Sequence, residues 1–180
     1  MTFWRPTCVG NICTSVSETY HGSDSRVVLI NTSDVYDGEI LNHESVPNKN
    51  LRGQFKKTFQ RNDILYSEIR PANRRFAFVD LDDTSRYIAS TKLMVIRSIN
   101  DQVRPRFLFA YLTSESVIRE LQHLAESRSG TFPQITFGTE LAPMPMMLPS
   151  LDEQDRIVNL LLSIEGKIKI NKEINDNLAA

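Results

Sequence analysis

A chain of 180 residues suits one domain of ordinary size with an appendage, and it can bury a sizeable core. Its 21 basic and 22 acidic residues nearly cancel, so total charge says nothing about partners and only its distribution can. Cys8 and Cys13 stand alone, with no His at ligand spacing, which argues against a disulfide framework or a zinc site. No apolar run nears the roughly 18 residues of a membrane span, and the N-terminus lacks a basic-then-apolar signal pattern, so a cytoplasmic chain with reduced thiols is expected.

In chain order, Trp4, Val9 and Ile12 with polar residues between them form either a first short helix or a lead-in segment, and Ser15 to Ser25 reads as a polar loop. Arg26 to Ile30 is a branched apolar run with the composition of a buried strand, stopped by Asn31 and Ser33-Asp34. Tyr36-Asp37-Gly38 is a turn signal, after which Glu39 to Leu41 can pair back as a hairpin. Asp63 to Ser67, Phe76 to Val79 and Leu93 to Ile96 read as further strands. Helical periodicity runs from Phe107 to Ala125, with Thr113 to Ser116 able to break it in two.

The last element is a long helix. Pro149 ends the preceding strand, and Ser150 with Glu153 has capping-box spacing. Ile157, Leu161, Ile164, Ile168, Asn171, Ile174, Asn175 and Leu178 then recur at helical spacing among charges, over roughly 40 Å at 1.5 Å per residue. That is too long to cover one small core and stop, so part of it is expected to project. Asn171 and Asn175 in an otherwise apolar seam fix register and partner number at a cost in stability, as in coiled coils. The plainer alternative is a terminal helix docked on its own domain with a frayed polar end.

Charge is unevenly spread. From Lys49 to Arg75 the basic residues Lys49, Arg52, Lys56, Lys57, Arg61, Arg70, Arg74 and Arg75 face only Asp63 and Glu68. Such a stretch can neutralise phosphates, or it can be a solvated face offset by Asp80, Asp82 and Asp83. Arg70, Arg74 and Arg75 in a loop after a strand lead the DNA-binding candidates, since Arg grips guanine bidentately as well as phosphate. Changing Arg74 or Arg75 to Ala is expected to weaken DNA binding and leave folding intact. Thr91 and Lys92, just before a strand, reach phosphate or a base edge, or Thr91 only closes a turn. Thr131 and Gln134 belong to a loop punctuated by Gly130 and Pro133, where Gln134 can pair with adenine; the same segment also reads as a tight connection with Phe132 packed inward.

No Gly-rich phosphate loop, recognisable nucleophile or Asp/Asn-Pro-Pro-aromatic element is present. His21, His43 and His123 are scattered, Asp80, Asp82 and Asp83 read as a solvated turn rather than a cation site, and Glu165-Gly166-Lys167 lies inside the amphipathic helix. No catalytic residue, metal or cofactor is expected.

Leu148-Pro-Ser-Leu-Asp-Glu-Gln-Asp-Arg-Ile157, followed by Leu161, Ile164, Ile168, Asn171, Ile174, Asn175 and Leu178, resembles the conserved helical region of the specificity subunits of type I restriction-modification systems. Ile30-Asn31-Thr32-Ser33-Asp34-Val35 with Gly38, Asn62-Asp63-Ile64-Leu65 with Arg70-Pro71, Ser90-Thr91, and Gly130 to Ile135 are similar, in order, to landmarks of that family's target recognition domain. The segment before His21 matches only loosely. The resemblance implies an α+β fold, with a mixed globular recognition domain of twisted sheet and short helices over 1–148. A coiled-coil-type spacer and dimerisation helix follows over 149–180. It implies a non-catalytic subunit that reads one half of a bipartite double-stranded DNA target. It also implies docking to methyltransferase (modification) subunits, which use S-adenosylmethionine, and to an ATP-dependent restriction subunit. Family members typically carry two recognition domains and two helices. No internal repeat is visible here, so the chain is expected to be a half-size subunit or half of a longer one, pairing through its helix as a homodimer or with a second half. Two other classes stay open: a homodimeric scaffold or regulator that pairs through the helix without reading DNA, and a stand-alone nuclease, which would cleave in a metal-dependent way.

Overall fold

Strand β11 (Leu93–Ser98) organises the structure, a computed structural model that describes residues 4–49, 51 and 53–178. Successive side chains of a strand point to opposite faces, and here both faces are buried, which is why Leu93 to Ile96 reads as a continuous apolar run. Around β11 a sheet forms in the order β2 (Cys13–Val16), β11, β8 (Ile64–Ser67), β9 (Phe76–Phe78), with every neighbour antiparallel.

One face of this sheet, carrying Leu65, Ala77, Leu93 and Val95, packs with Val28, Ile30 and Ala89 from a second sheet. That sheet runs β6 (Ser45–Pro47), β3 (Arg26–Ile30), β10 (Tyr87–Ser90), β7 (Phe55–Lys57), with β3 and β10 parallel. The opposite face, carrying Ile64, Tyr66, Phe76, Phe78, Met94 and Ile96, packs against Phe107, Leu108 and Leu112 of α1 (Pro105–Leu112). Val117, Ile118 and Leu121 of α2 (Glu115–Arg128) complete that layer. The result is three layers, sheet on sheet on helices, in an α+β fold.

Local chemistry accounts for several joints. The β4 (Val35–Tyr36) and β5 (Glu39–Ile40) hairpin turns through Asp37 and Gly38, both at positive φ (45° and 105°), the pair of left-handed residues that a tight hairpin matching strand twist requires. The two helices part at Thr113, whose hydroxyl donates to the Phe109 carbonyl at 2.8 Å, as the break in the sequence anticipates. Arg97 clamps the buried Asp63 through two bonds of 2.7 and 2.8 Å, closing one end of the central sheet.

The N-terminal segment holds both a strand and a short helix: β1 (Arg5–Cys8) pairs antiparallel with β12 (Pro145–Leu148), which the sequence does not announce, and Val9–Asn11 then makes one turn of 3-10 helix, the short helix expected there. A four-residue strand without alternation carries no signal of its own; its partner, distant in sequence, supplies the hydrogen bonds. Gly10 sits where the chain passes the 142–144 backbone, and a Cβ there would meet the Ala142 Cβ at 2.9 Å. The polar loop begins after β2 rather than at Ser15.

Helix α3 (Leu151–Leu178) has 28 residues, about 42 Å at 1.5 Å per residue. The Ser150 hydroxyl accepts from the Glu153 N–H at 3.4 Å, but the Glu153 carboxylate pairs with Arg156 at 3.3 Å, so only half of the capping box forms. The first two turns belong to the globular layer: Gln154 is buried, Ile157 and Val158 pack on the helical core, and Arg104 holds Asp155 at 2.9 Å. Ile157 therefore docks on its own domain rather than standing free for pairing. From Asn159 to Asn177 every residue is exposed, including Leu161, Ile164, Ile168, Asn171, Ile174 and Asn175. The side chain of Leu178 lies outside the described residues, as does Arg52. Among the described residues no helix is long and apolar enough to cross a membrane.

Candidate nucleic-acid interface

The short turn that joins β10 to β11 places Thr91 and Lys92 at one end of the central sheet, and it is held on three sides. The Thr91 N–H donates to the Gln54 carbonyl at 2.7 Å, and the Glu68 N–H donates to the Lys92 carbonyl at 3.0 Å. Beneath the turn, the Lys57 ammonium donates to the carbonyls of Thr91 (3.0 Å) and Leu93 (2.8 Å). Burial lowers the pKa of Lys57, with the Glu68 carboxylate opposing that shift and Lys92 adding to it. Lys57 thus points inward and braces the turn instead of meeting a ligand.

The loop after β8 leaves the sheet at the same end and is laced to the 129–136 segment. The Arg70 N–H donates to the Pro133 carbonyl (3.1 Å) and the Ile135 N–H to the Glu68 carbonyl (2.9 Å), while Ile69 and Gln134 form a bridge. The Lys92 ammonium then lies 3.5 Å from both the Glu68 carboxylate and the Gln134 amide oxygen. Arg70, Thr91, Lys92 and Gln134, from three separate stretches, meet here, with the exposed Thr131 in the same loop as Gln134. Lys49 is exposed and lines a neighbouring hollow of about 400 Å³ with Gln54, the residue whose carbonyl holds Thr91.

Arg74 and Arg75 go elsewhere. Both Arg70 and Arg74 adopt left-handed backbone (φ 45° and 53°) on either side of a single 3-10 turn, and this swings the next side chains away. The Arg74 guanidinium takes Asp37 at 2.7 and 2.9 Å and Glu115 at 3.4 Å. Arg75 donates to the Ser33 carbonyl at 3.2 Å and covers the Tyr36 ring. Both tie the β4–β5 hairpin region to the start of β9, and Arg74 also reaches α2. Arg61 pairs with Asp80 and Asp82, as the solvated-face reading of that stretch has it. Among the described residues of 49–75, Lys49, Lys56 and Arg70 are the exposed cations with no carboxylate partner.

Gln54, Lys57 and Glu68 escape sequence reasoning as parts of this site. Their roles depend on which strand ends lie side by side, and no local pattern reports that. Among the described residues no group of three His, Cys, Asp or Glu side chains is placed to hold a metal. The arrangement offers hydrogen-bond donors, two cations and an amide on rigid loops, the equipment for contacting phosphates and base edges rather than for bond-making chemistry.

The family model for the type I restriction modification DNA specificity domain matches residues 8–180. The chain belongs to this family. The type I restriction enzyme HindI specificity subunit of Haemophilus influenzae is 40% identical over 179 residues, 99% of this chain and 39% of that relative. Among solved structures, the HsdS subunit of Thermoanaerobacter tengcongensis superposes with a TM-score of 0.79 at 22% identity, covering 95% of this chain and 44% of that one. A chain from a type I restriction-modification system, solved to describe its complex assembly and conformational transition, gives 0.80 at 22% identity, over 96% of this chain and 44% of that one. The S subunit of M. genitalium gives 0.57 at 12% identity, over 95% and 41%. At these identities the structures establish a shared fold. The chain spans less than half the length of each of these relatives. The specificity family expected from the motifs is the one found.

Proposed function

We propose that the chain is a non-catalytic DNA-recognition module that reads one half of a bipartite target, with its reading surface at the Arg70, Thr91–Lys92 and Thr131–Gln134 end. The observation that carries this is the convergence of three sequence-distant loops on that end, each fixed by backbone hydrogen bonds. Cations there neutralise phosphates, while Gln134 and Thr91 offer groups matched to base edges. The exposed part of α3 is the second functional surface. Leu161 borders a hollow against Phe109 and Ala110 of α1, while Ile164, Ile168 and Ile174 are 46–62% exposed, and such a seam with Asn171 and Asn175 suits a second long helix. A rod between two such domains sets their separation on the duplex and provides the docking post for modification and restriction subunits.

The test is reconstitution with the modification subunit of the same system, S-adenosylmethionine and double-stranded DNA. Methylation confined to one sequence, and lost when Ile164 and Ile168 are both changed to Glu, is the expected result. The exposed α3 seam by itself also favours a scaffold that pairs without reading DNA. That reading predicts a complex that forms through α3 and leaves DNA unbound and unmethylated.

A further inference from the structure

Residues 132–136 form a strip with alternating burial. Pro133 and Ile135 are buried, while Phe132, Gln134 and Thr136 face outward and line one hollow of about 370 Å³ with Arg128 and Ser129. The alternation is the period of extended backbone, so the outward side chains share a face at roughly 6.6 Å intervals. The strip is held in place: the Phe132 N–H donates to the Ser129 hydroxyl (3.2 Å), Pro133 accepts from Arg70, and Ile135 donates to Glu68. Gly130 has open space around its Cα. Two of the three outward side chains are polar. Thr136 is occupied with Glu140 and Thr139, whereas among the described residues the Gln134 side chain meets only Lys92, at 3.5 Å. Phe132 presents a ring 47% exposed. A lone exposed apolar residue needs no explanation. This one differs in position, since it stands on a braced strip, beside an available amide, inside the surface proposed to read DNA.

From this geometry we infer that Phe132 is a base-reading residue whose ring contacts the 5-methyl group of a thymine. In the major groove the thymine methyl is the one apolar group among the base edges, so an aromatic ring there selects thymine over cytosine or uracil. Gln134, on the same face, suits the adenine of that pair or of a neighbouring one. The inference rests on the proposed DNA-reading function and adds a specificity residue to it.

The test uses the full chain assembled with its modification subunit and a randomised duplex library made once with thymidine and once with deoxyuridine, which lacks only the methyl group. The wild type is expected to enrich one motif from the thymidine library and to bind it about fourfold more weakly with deoxyuridine at one position, the loss expected for burying one methyl group less. Phe132→Ala should bind both forms equally, Phe132→Leu should keep part of the preference, and Gln134→Ala should weaken binding to both forms with the ratio retained. A wild type that enriches a motif but treats the two forms alike overturns the role of Phe132 and leaves DNA reading intact; so does a Phe132→Ala variant that keeps the wild-type ratio. A wild type that enriches no motif overturns both.

Discussion

The side-chain oxygen of Gln154 accepts the backbone N–H of Arg104 at 2.7 Å, and its amide donates to the carbonyls of Gln102 and Pro149 at 2.9 Å each. One buried amide from the second turn of α3 thereby satisfies three main-chain groups at the start of α1 and at the approach to α3. With the Arg104–Asp155 pair alongside, it fixes the direction in which the helix leaves the domain. Gln154→Leu would leave those groups unpaired, at about 1–3 kcal/mol for a buried one. We expect a lower urea midpoint and faster hydrogen exchange over residues 151–158. Unaltered exchange in that stretch would show that apolar packing of Ile157 and Val158 alone sets the helix.

On the proposed function, the salt dependence of DNA binding should separate the cations by role. Removing one cation that neutralises a phosphate lowers the slope of log affinity against log salt by about one. Arg70→Ala and Lys92→Ala should each do so with folding intact. Arg74 was, from sequence, an equal candidate, yet its guanidinium bonds Asp37 and Glu115, so Arg74→Ala should leave the slope unchanged and lower stability by about 0.5–1 kcal/mol, the range of a half-exposed ion pair. Fluorescence anisotropy across a salt series, with thermal melts on the same samples, checks all three. A reduced slope for Arg74→Ala with none for Arg70→Ala and Lys92→Ala would move the reading surface to the hairpin side.

Stability should fall on the alkaline side because of Cys13. Burial raises its thiol from 9.0 to about 12, with its Sγ near the Val9 carbonyl. Above pH 9.0 the unfolded chain loses this proton while the folded chain keeps it, so the stabilisation present below 9.0 is lost progressively up to about 12. The limiting slope is about 1.4 kcal/mol per pH unit. Burial also raises Tyr66 and Tyr111, which add to the loss above 10.0. Urea unfolding followed through pH 9.0 should show a steeper decline for the wild type than for Cys13→Val. Equal slopes would mean that the thiol is ionised in the folded state or does not report on unfolding.

Sequence alone indicated what depends on neighbours within a few residues: the turn at Asp37-Gly38, the buried β11 run, a break of the helical stretch between Thr113 and Ser116, and a terminal helix long enough to project. Its motifs also placed the chain in its family. Only the tertiary structure decided that β1 joins β12, that Lys57 turns inward beneath the Thr91–Lys92 turn, that Arg74 closes on a carboxylate 37 positions away, and that Arg70, Lys92 and Gln134 end up together. The reason is physical. Turn and helix preferences are local free energies, written residue by residue. Which loops become neighbours follows from the pairing of strands that must bury both faces of one sheet, and the free energy of that choice is shared across the whole chain.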